Sequence, residues 1–326
     1  MTRRRRSRKK VTSLHTISFM GFLGFLVSAT AWAHQAGIIN WQLPDLSGKP
    51  PVVATQTHTP TTPKITEPAT SEVVVINNPS GMGLVPGISD QNCASQLLGG
   101  LAPKLTNEAL SEKTRKLCYT GFAVLNSGIT RTPLWAAEHL TAERVRKADG
   151  IPRKNTFHAD PNLPKDERSE LTDYKGFGYD RGHMAPNADM PDAASQKECF
   201  SLANMVPQDG DNNSGLWRHI EETVRNMAER DGDIYVVTGP IFDGETVKQI
   251  NDRVMVPTKI FKAVFDVKKQ QASVFLVDNA PGDKYRVITL AQLEELAGIE
   301  VFPGLSEKVR TAKLDLPAPT ASDLIN

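Results

Sequence analysis

The chain has 326 residues, 39% of them hydrophobic, with 38 basic and 37 acidic side chains. This composition is sufficient for a globular core, and it excludes collagen, a polytopic membrane protein and wholesale disorder. Seven basic residues lie in the first ten positions, which leaves 31 basic against 37 acidic residues, a net charge of −6, in the remainder. A positive field around the whole folded part is therefore excluded, and a polyanion would have to bind to a local basic patch.

Residues 1–33 are predicted to be a secretory signal peptide. The basic cluster contains no acid, and it is followed by an apolar run that ends in Ala31-Trp-Ala33. Small residues at these two positions are what a signal peptidase accepts, so cleavage is expected after Ala33. Because the uncharged stretch continues to Trp41, an uncleaved membrane anchor is the alternative. In both cases the chain is expected to be exported, and to be periplasmic, secreted or anchored.

The rest of the chain divides into three segments. Residues 34–87 alternate Pro with Thr and are predicted to be an extended linker. Residues 88–315 show the mixed pattern of one globular domain, and residues 316–326 are a C-terminal tail. The predicted strands cover about residues 119–125, 132–138, 234–239, 259–266 and 272–277, and the predicted helices cover about residues 214–230 and 289–298. Because these elements do not alternate regularly, the fold class is predicted to be α+β.

Three cysteines are present, at Cys93, Cys118 and Cys199. In an exported protein, Cys93 and Cys118 could close a loop of about 25 residues, which would contribute on the order of 3 kcal/mol. Cys199 would remain as a buried thiol. The spacings match no metal-ligand pattern, and no local motif supplies a partner for a cysteine nucleophile.

The stretch Gly178-Tyr-Asp-Arg-Gly-His-Met-Ala-Pro-Asn-Ala-Asp189 is the most informative of the sequence. It places His183 beside Arg181 and Asp180 between two glycines, a composition typical of backbone that approaches another group closely. Taken alone, the histidine could equally be a structural one that is hydrogen-bonded to the backbone.

A second polar group lies at the start of the longer predicted helix. Asn213 lies just before the first residue of this helix. Arg218, Glu221 and Arg225 share a face opposite the apolar stripe of the helix. That stripe consists of Leu216, Trp217, Ile220, Val224 and Met227. An N-cap and a solvated, ion-paired face would explain the same residues. Together with His183, however, they are the groups needed for water attack on a phosphodiester, namely a base, oxygen ligands for a hard cation, and guanidinium groups.

These stretches resemble the DNA/RNA non-specific endonucleases, the ββα-metal or His-Me finger nucleases. Asp180-Arg-Gly-His183 is similar to the D-R-G-H signature of this family, and the block from Asn204 to Glu221 is similar to its N-x-x-P-Q…N-x-x-x-W-x-x-x-E pattern. Tyr235-Val-Val-Thr-Gly-Pro-Ile-Phe242 and Val256-Pro-Thr…Phe261-Lys262 are similar to two further strands of the family. The resemblance covers about residues 117–302 and implies a ββα-metal domain with a central antiparallel sheet flanked by helices.

The resemblance also implies roles for individual residues. His183 corresponds to the general base that takes a proton from water, and Asn213 to the sole direct protein ligand of a single Mg²⁺, for which Mn²⁺ could substitute. Glu221 corresponds to a carboxylate that orients water near the ion. The remaining matches are Arg181 and Arg225 near the phosphate, Asn204 in a supporting role, and Asp180, which is expected to fix the turn and the imidazole.

One arginine of the family lies upstream of the signature, near a Phe and an Asp. Arg153-Lys-Asn-Thr-Phe157 is the corresponding segment, with Arg153 and Lys154 as its cations, and its register stays open. Together with Arg218, these residues are the predicted substrate-binding cations.

The expected activity is Mg²⁺-dependent hydrolysis of phosphodiester bonds in DNA and RNA without sequence preference, since contacts to sugar and phosphate do not report the bases. By resemblance, the products carry 5′-phosphate ends. A phosphodiesterase for small nucleotides and an inactive nucleic-acid-binding surface protein are the alternatives. The sequence leaves open whether a proteinaceous inhibitor binds, and whether the chain is a monomer or a homodimer.

Overall fold

A computed structural model describes residues 93–244 and 246–319 of the chain. The predicted signal peptide, the linker, residues 88–92 of the predicted domain and residues 320–326 of the tail lie outside this part, so the proposed limits stay predictions. Within it, every helix is too short or too polar to cross a lipid bilayer.

Thirteen strands and six helices are assigned in the described residues. The strands are β1 (Lys104–Leu105), β2 (Thr114–Cys118), β3 (Ala123–Ser127), β4 (Thr132–Thr141), β5 (Asp180–His183), β6 (Met205–Gln208), β7 (Asp233–Ile241), β8 (Gln249–Ile250), β9 (Val254–Met255), β10 (Lys259–Asp266), β11 (Gln271–Asp278), β12 (Tyr285–Ile288) and β13 (Ile299–Glu300). The helices are α1 (Ala142–Ala148), α2 (Ala193–Cys199), α3 (Gly210–Asn212), α4 (Arg218–Asp231), α5 (Leu290–Ala297) and α6 (Glu307–Thr311). A π-helical turn, Asn213–Trp217, joins α3 to α4, and short 3₁₀ turns cover Leu98–Gly100, Glu108–Leu110, Leu171–Tyr174, Asn187–Asp189 and Leu202–Asn204.

A seven-stranded antiparallel sheet organises the domain, in the order β12-β11-β10-β7-β4-β3-β2. Its centre is β7, which pairs with β10 on one side and β4 on the other. The apolar run of β7 predicts this position, because a strand buried on both faces has no solvent side. The predicted α+β class and the central antiparallel sheet are therefore confirmed.

The alternation of side chains along the strands gives the sheet two apolar faces. One face, with Val236, Ile260 and Val264, packs against the apolar stripe of α4. The other face, with Val237 and Ala263, packs against Leu293 of α5. The position of Thr289 before the apolar residues of the second predicted helix predicts an N-cap, and in the structure Thr289 and Gln292 form a capping box at the start of α5. The two layers of helices hold the sheet between them.

Three element predictions differ in detail from the structure. The first predicted strand, residues 119–125, is a turn followed by β3, and the edge strand β2 precedes it. The long helical run begins at Gly210 instead of at residue 214, because Asp209 caps it by accepting a hydrogen bond from the Asn212 N–H at 3.0 Å. The apolar pattern of the second predicted helix places Leu290, Leu293 and Leu296 on its inward face, but Leu296 is 45% exposed in the structure.

The cysteines are arranged as predicted. Cys93 and Cys118 form a disulfide with a Cα–Cα distance of 5.2 Å, which ties the first described residues to the edge strand β2. Cys199 is a free, buried thiol at the end of α2.

Candidate active site

The site is built on a hairpin followed by a helix. Strands β5 and β6 pair antiparallel, with His183 opposite Met205, and the helical run begins two residues after β6. Gly182 is required where the strands meet, since a Cβ there would lie 2.0 Å from Oε1 of Gln208. This unit brings the D-R-G-H segment and the start of the helical run to the same place.

His183 is packed among aromatic rings and is 8% exposed. The Phe200 ring meets the imidazole edge-on at 5.0 Å between centroids, and Phe157 lies 5.8 Å away. Burial lowers the pKa of His183 to about 3, and the positive charges of Arg153 and Arg181 act in the same direction. The Nε2 atom is buried without a hydrogen-bond partner among the described residues. The ring is therefore neutral near pH 7, which is the protonation state that a general base requires.

Two guanidinium groups flank this histidine, each lying over a phenylalanine ring. Arg181 lies 4.2 Å from the centroid of Phe157, and Arg153 lies 5.4 Å from that of Phe200. Arg153 Nε also donates to Oδ1 of Asn155 at 2.8 Å. Of the two upstream candidates, Arg153 is thus the one whose charge reaches His183. The backbone N–H of Lys154 is held by Gln196, and its side chain is exposed.

Asn213 lies in the π-helical turn and is not the helix cap, since Asp209 fills that role. Its side-chain Nδ2 donates to Oδ2 of Asp180 at 3.0 Å. The sequence predicts that Asp180 fixes the turn and the imidazole, but in the structure its carboxylate holds the amide of Asn213. This contact links β5 to the helical run, and π turns of this kind occur often at functional sites.

The chemistry of this amide fits the single Mg²⁺ that the resemblance implies. Because Nδ2 is bound to Asp180, Oδ1 is the atom that Asn213 offers to a ligand, and oxygen is the ligand atom that Mg²⁺ prefers. Among the described residues, no group of three or more His, Cys, Asp or Glu side chains is placed to hold a metal ion. A neutral amide oxygen is therefore the candidate ligand.

Glu221 and Arg225 lie one turn apart on α4, and both are half-buried. Burial raises the pKa of Glu221 to about 7, against the opposing positive charges of Lys262 and Arg225. The guanidinium of Arg225 donates to Oδ1 of Asp189 at 3.0 Å, and the Asp189 side chain is only 3% exposed. Arg225 is thus fixed by an ion pair. Its predicted place near the phosphate stays a prediction.

Arg218 lies apart from these two residues. Its side chain is 52% exposed, and it pairs with Glu222 at 3.8 Å and with the ring of His219. A solvated, ion-paired face, the alternative explanation for Arg218, Glu221 and Arg225, therefore describes only Arg218, since the other two residues are half-buried.

Asn204 supports the segment that follows His183. It is fully buried, and its Nδ2 donates to the carbonyl oxygens of Ala185 and Cys199 at 2.9 Å each. Its Oδ1 accepts from the Ala185 N–H at 2.9 Å. Every polar atom of the side chain is thereby used, and the loop after β5 is held against the end of α2.

Four residues that sequence reasoning missed contribute to the site. Phe200 packs on His183, and Asp189 holds Arg225. Glu138 and Lys262 are buried charged residues on the sheet beneath α4. Glu138 and Lys262 could have been found in the sequence, since each is a charged residue in an otherwise apolar strand. Phe200 and Asp189 could not, because they acquire their partners only through the fold.

The hairpin, the helical run and the polar groups they carry define the ββα-metal class of nuclease. A sequence profile described as DNA/RNA non-specific endonuclease matches residues 102–308, more than half of the chain. The chain therefore belongs to the DNA/RNA non-specific endonuclease family, a family of divalent-metal-dependent nucleases.

Individual relatives agree with this assignment. The chain is 33% identical over 214 residues to human "Nuclease EXOG, mitochondrial", which covers 59% of this chain and 58% of EXOG. It is 34% identical over 212 residues to Caenorhabditis elegans "Endonuclease G, mitochondrial", with coverages of 58% and 68%. The solved EndoG of an EndoG/EndoGI inhibition complex superimposes with a TM-score of 0.56 at 26% identity, covering 61% of this chain and 89% of that one. The chain thus spans less than two thirds of human EXOG.

These relatives contradict the predicted location. Human EXOG and C. elegans endonuclease G are mitochondrial proteins by name, so the expectation of an exported periplasmic, secreted or anchored protein is wrong. The physical reason is that an Arg-rich, Ser-containing, acid-free N-terminal segment is not specific to secretion, because organelle transit peptides share this composition.

Proposed function

We propose that the protein is an Mg²⁺-dependent endonuclease that hydrolyses phosphodiester bonds of DNA and RNA without sugar or sequence specificity. The observation that carries this proposal is the neutral imidazole of His183 set between two guanidinium groups. A base and two cations at one place suit attack of water on a phosphodiester.

His183 acts as the general base in this reaction. Its imidazole takes a proton from the attacking water, whose oxygen forms a bond to phosphorus as the bond from phosphorus to the 3′-oxygen breaks. The leaving 3′-oxygen takes up a proton, and the product carries a 5′-phosphate end. A ring that starts neutral is in the protonation state that a base needs.

Arg181 and Arg153 bind the phosphate and stabilise the negative charge that grows on it. The phenylalanine rings hold each guanidinium plane while leaving its N–H groups at the edge available to oxygen. Two donors fixed in advance cost little reorganisation when the charge develops, which is the condition for electrostatic stabilisation of a transition state.

Oδ1 of Asn213 would hold the cation, and Asp180 accepts a hydrogen bond from Nδ2 of the same amide, which leaves Oδ1 for the ion. When bound, Mg²⁺ supplies Lewis-acid polarisation of the scissile phosphate and stabilises the leaving oxygen. Glu221, two turns along the helix, orients water near the ion. Because Asn213 is uncharged, it does not neutralise the cation.

The lack of specificity follows from the proposed contacts. Guanidinium groups bind phosphate oxygens, which are the same in every nucleotide and in both nucleic acids, and such contacts carry no sequence information. We therefore expect the purified full-length chain to degrade supercoiled plasmid and single-stranded RNA at comparable rates.

The test is digestion of both substrates with Mg²⁺, with Mn²⁺, and with excess EDTA. Cleavage should require the divalent ion and should leave 5′-phosphate ends. His183→Ala should cleave about 10²- to 10⁴-fold more slowly while binding DNA like the wild type. Hydrolysis of a dinucleotide but not of plasmid would favour the small phosphodiesterase, and DNA binding without any hydrolysis would favour the inactive binding protein.

We further propose a proteinaceous inhibitor as a class of partner. The support is the structural similarity to EndoG, which is solved in complex with EndoGI. Purified EndoGI added in molar excess should reduce plasmid cleavage, and unchanged cleavage at saturating EndoGI would exclude that inhibitor as a partner.

A further inference from the structure

A lysine is buried in the middle of the sheet. Lys262 of β10 is 1% exposed and lies on the same face as Ile260 and Val264, which pack beneath α4. Burial of a charged ammonium in an apolar layer is costly unless other groups compensate for the lost water. The groups around the Lys262 ammonium therefore indicate which role its positive charge has.

Lys262 belongs to a polar row that crosses three adjacent strands. Thr238 of β7 is its cross-strand partner, and Nζ donates to the Thr238 hydroxyl at 2.7 Å. Glu138 of β4 lies on the same face, two residues after Ala136, which is the cross-strand partner of Thr238. All three side chains are at most 1% exposed. The row is fixed by the register of the sheet.

Helix α4 and the turn before it cover this row. The ammonium of Lys262 lies 5.5 Å from the centroid of the buried Trp217 ring. Glu221 is four residues after Trp217, so the two side chains are neighbours on one face of the helix. Lys262 thus lies beneath the helical turn that carries the proposed water-orienting carboxylate.

Two carboxylates are near enough to balance the charge of Lys262. Burial raises the pKa of Glu138 to about 8, and its carboxylate already accepts a hydrogen bond from Arg144 at 3.2 Å. Burial raises the pKa of Glu221 to about 7, and Lys262 is the strongest of the charges that oppose this rise. Arg225 and a hydrogen bond from the Trp217 side chain also oppose this rise in pKa, but the charge of Lys262 is the largest of these opposing influences on Glu221.

We propose that Lys262 is a positioning residue for the nuclease reaction, whose ammonium, fixed by Thr238 and Trp217, holds the Glu221 carboxylate in place from beneath the helix. This inference depends on the proposed function for its kinetic consequence, but the placement of Glu221 can be measured independently. Lys262 touches neither substrate nor cation, and it acts only through Glu221.

A structural role and a positioning role both predict that Lys262→Met lowers Tm, because the substitution leaves the half-buried Glu221 without its strongest counter-charge. Only the positioning role predicts that Lys262→Met, where it is folded, also loses kcat. The substitution should lower kcat by about 10- to 100-fold, the range found when a group that orients a metal site is removed. KM for plasmid should not change.

Two matched controls accompany the Lys262→Met experiment. Lys259→Met makes the same change on the same strand, at a lysine that pairs with Asp243 at the rim, and it should leave kcat unchanged. Thr238→Val removes the hydroxyl that holds Nζ and keeps the shape of the side chain, whereas Thr238→Ser keeps the hydroxyl. Thr238→Val should lower kcat and Thr238→Ser should not, which provides the answer if Lys262→Met does not fold.

A double-mutant cycle with Glu221→Gln shows whether Lys262 acts through Glu221. In that background, Lys262→Met should cause little further loss of kcat. An equal fold-loss in both backgrounds, or wild-type kcat in folded Lys262→Met, would overturn the proposal.

A crystal structure of Lys262→Met gives a readout that needs no activity. The Glu221 carboxylate should turn away from its wild-type position. An unmoved carboxylate would contradict the proposed role of Lys262, whether or not the wild type cleaves DNA. Absence of Mg²⁺-dependent cleavage in the wild type would instead count against the proposed function alone.

Discussion

The hydrogen bond between Asp180 and Asn213 decides which atom of the amide faces the proposed cation. Asp180→Ala removes the acceptor, so the amide is free to rotate and Mg²⁺ binding should weaken. We expect activity to fall by about 10- to 100-fold, as for other groups that orient a metal ligand. Asp180→Asn retains an oxygen that can accept the same N–H, and it should keep most of the activity.

The measurement is initial rate of plasmid cleavage against Mg²⁺ concentration for both variants and for Asn213→Ala. The loss in Asp180→Ala should be recovered in part at high Mg²⁺, whereas Asn213→Ala should stay inactive because a methyl group cannot ligate a cation. Equal loss in Asp180→Ala and Asp180→Asn would mean that the charge of Asp180 matters and not its hydrogen bond.

Glu138 makes the stability of the domain depend on pH. Burial raises the pKa of this carboxyl group to about 8, above about 4.3 in the unfolded chain. Below pH 4 both states hold the proton. As pH rises from 4 to 8, mainly the unfolded chain releases it, so the folded state loses stability, and above pH 8 the loss is complete.

Glu138→Gln should therefore be more stable than the wild type at pH 8.5, with the difference shrinking toward pH 4. Each pH unit in this window can contribute up to about 1.4 kcal/mol. Urea unfolding of both proteins at several pH values measures the difference. A constant difference across the window would show that Glu138 is ionised in the folded state at every pH tested.

At the scale of secondary-structure elements, the disulfide fastens the first described residues to the edge strand β2. Cys93 and Cys118 enclose a loop of 25 residues in sequence separation, and closing such a loop in the unfolded chain should contribute about 3 kcal/mol. We expect Cys118→Ser to lower the free energy of unfolding by this amount.

Urea unfolding with and without reductant tests this expectation. Reductant should destabilise the wild type and leave the Cys93→Ser/Cys118→Ser double variant unchanged, since Cys199 forms no disulfide. Insensitivity of the wild type to reductant would contradict a structural role for the bond.

The elements also show how far the sequence predicts the fold. Local pattern predicts the hairpin of β10 and β11 and the N-cap of α5 at Thr289, and the structure shows both. The sequence predicts the start of the long helix too late, because Asp209 and Asn213 are both good capping residues and local propensity does not distinguish them.

In the candidate site, too, the sequence predicts local motifs better than contacts between distant residues. The D-R-G-H segment and the Asn213 block are contiguous motifs, and the family assignment that they predict is confirmed. The contacts that hold them are between residues far apart in sequence, such as Arg181 on Phe157 and Arg225 on Asp189. Periodicity and spacing report on neighbours along one element, and so they predict the functional groups better than their partners.

At the scale of the whole molecule, charge limits how a nucleic acid can bind. Without its basic N-terminal segment, the chain has a net charge of −6. Binding of duplex DNA must then depend on a local patch, and the structure places Arg153 and Arg181 beside His183 with their guanidinium groups on aromatic rings. Arg225, by contrast, is occupied by Asp189. Removal of Arg153 or Arg181 should therefore affect DNA binding differently from removal of Arg225.

The dependence of DNA affinity on salt separates these two kinds, because each phosphate contact adds about 0.9 to the slope of log Kd against log salt for duplex DNA. In the His183→Ala background, which prevents cleavage during the measurement, Arg153→Ala should reduce that slope by about this amount. Arg225→Ala should leave it unchanged, since its charge is already paired. The loss of affinity should be the same for unrelated DNA sequences, because phosphate contacts do not report bases. A slope near zero before any arginine is removed would mean that duplex DNA is not the ligand of this patch, and a small phosphodiester would then become the better substrate candidate.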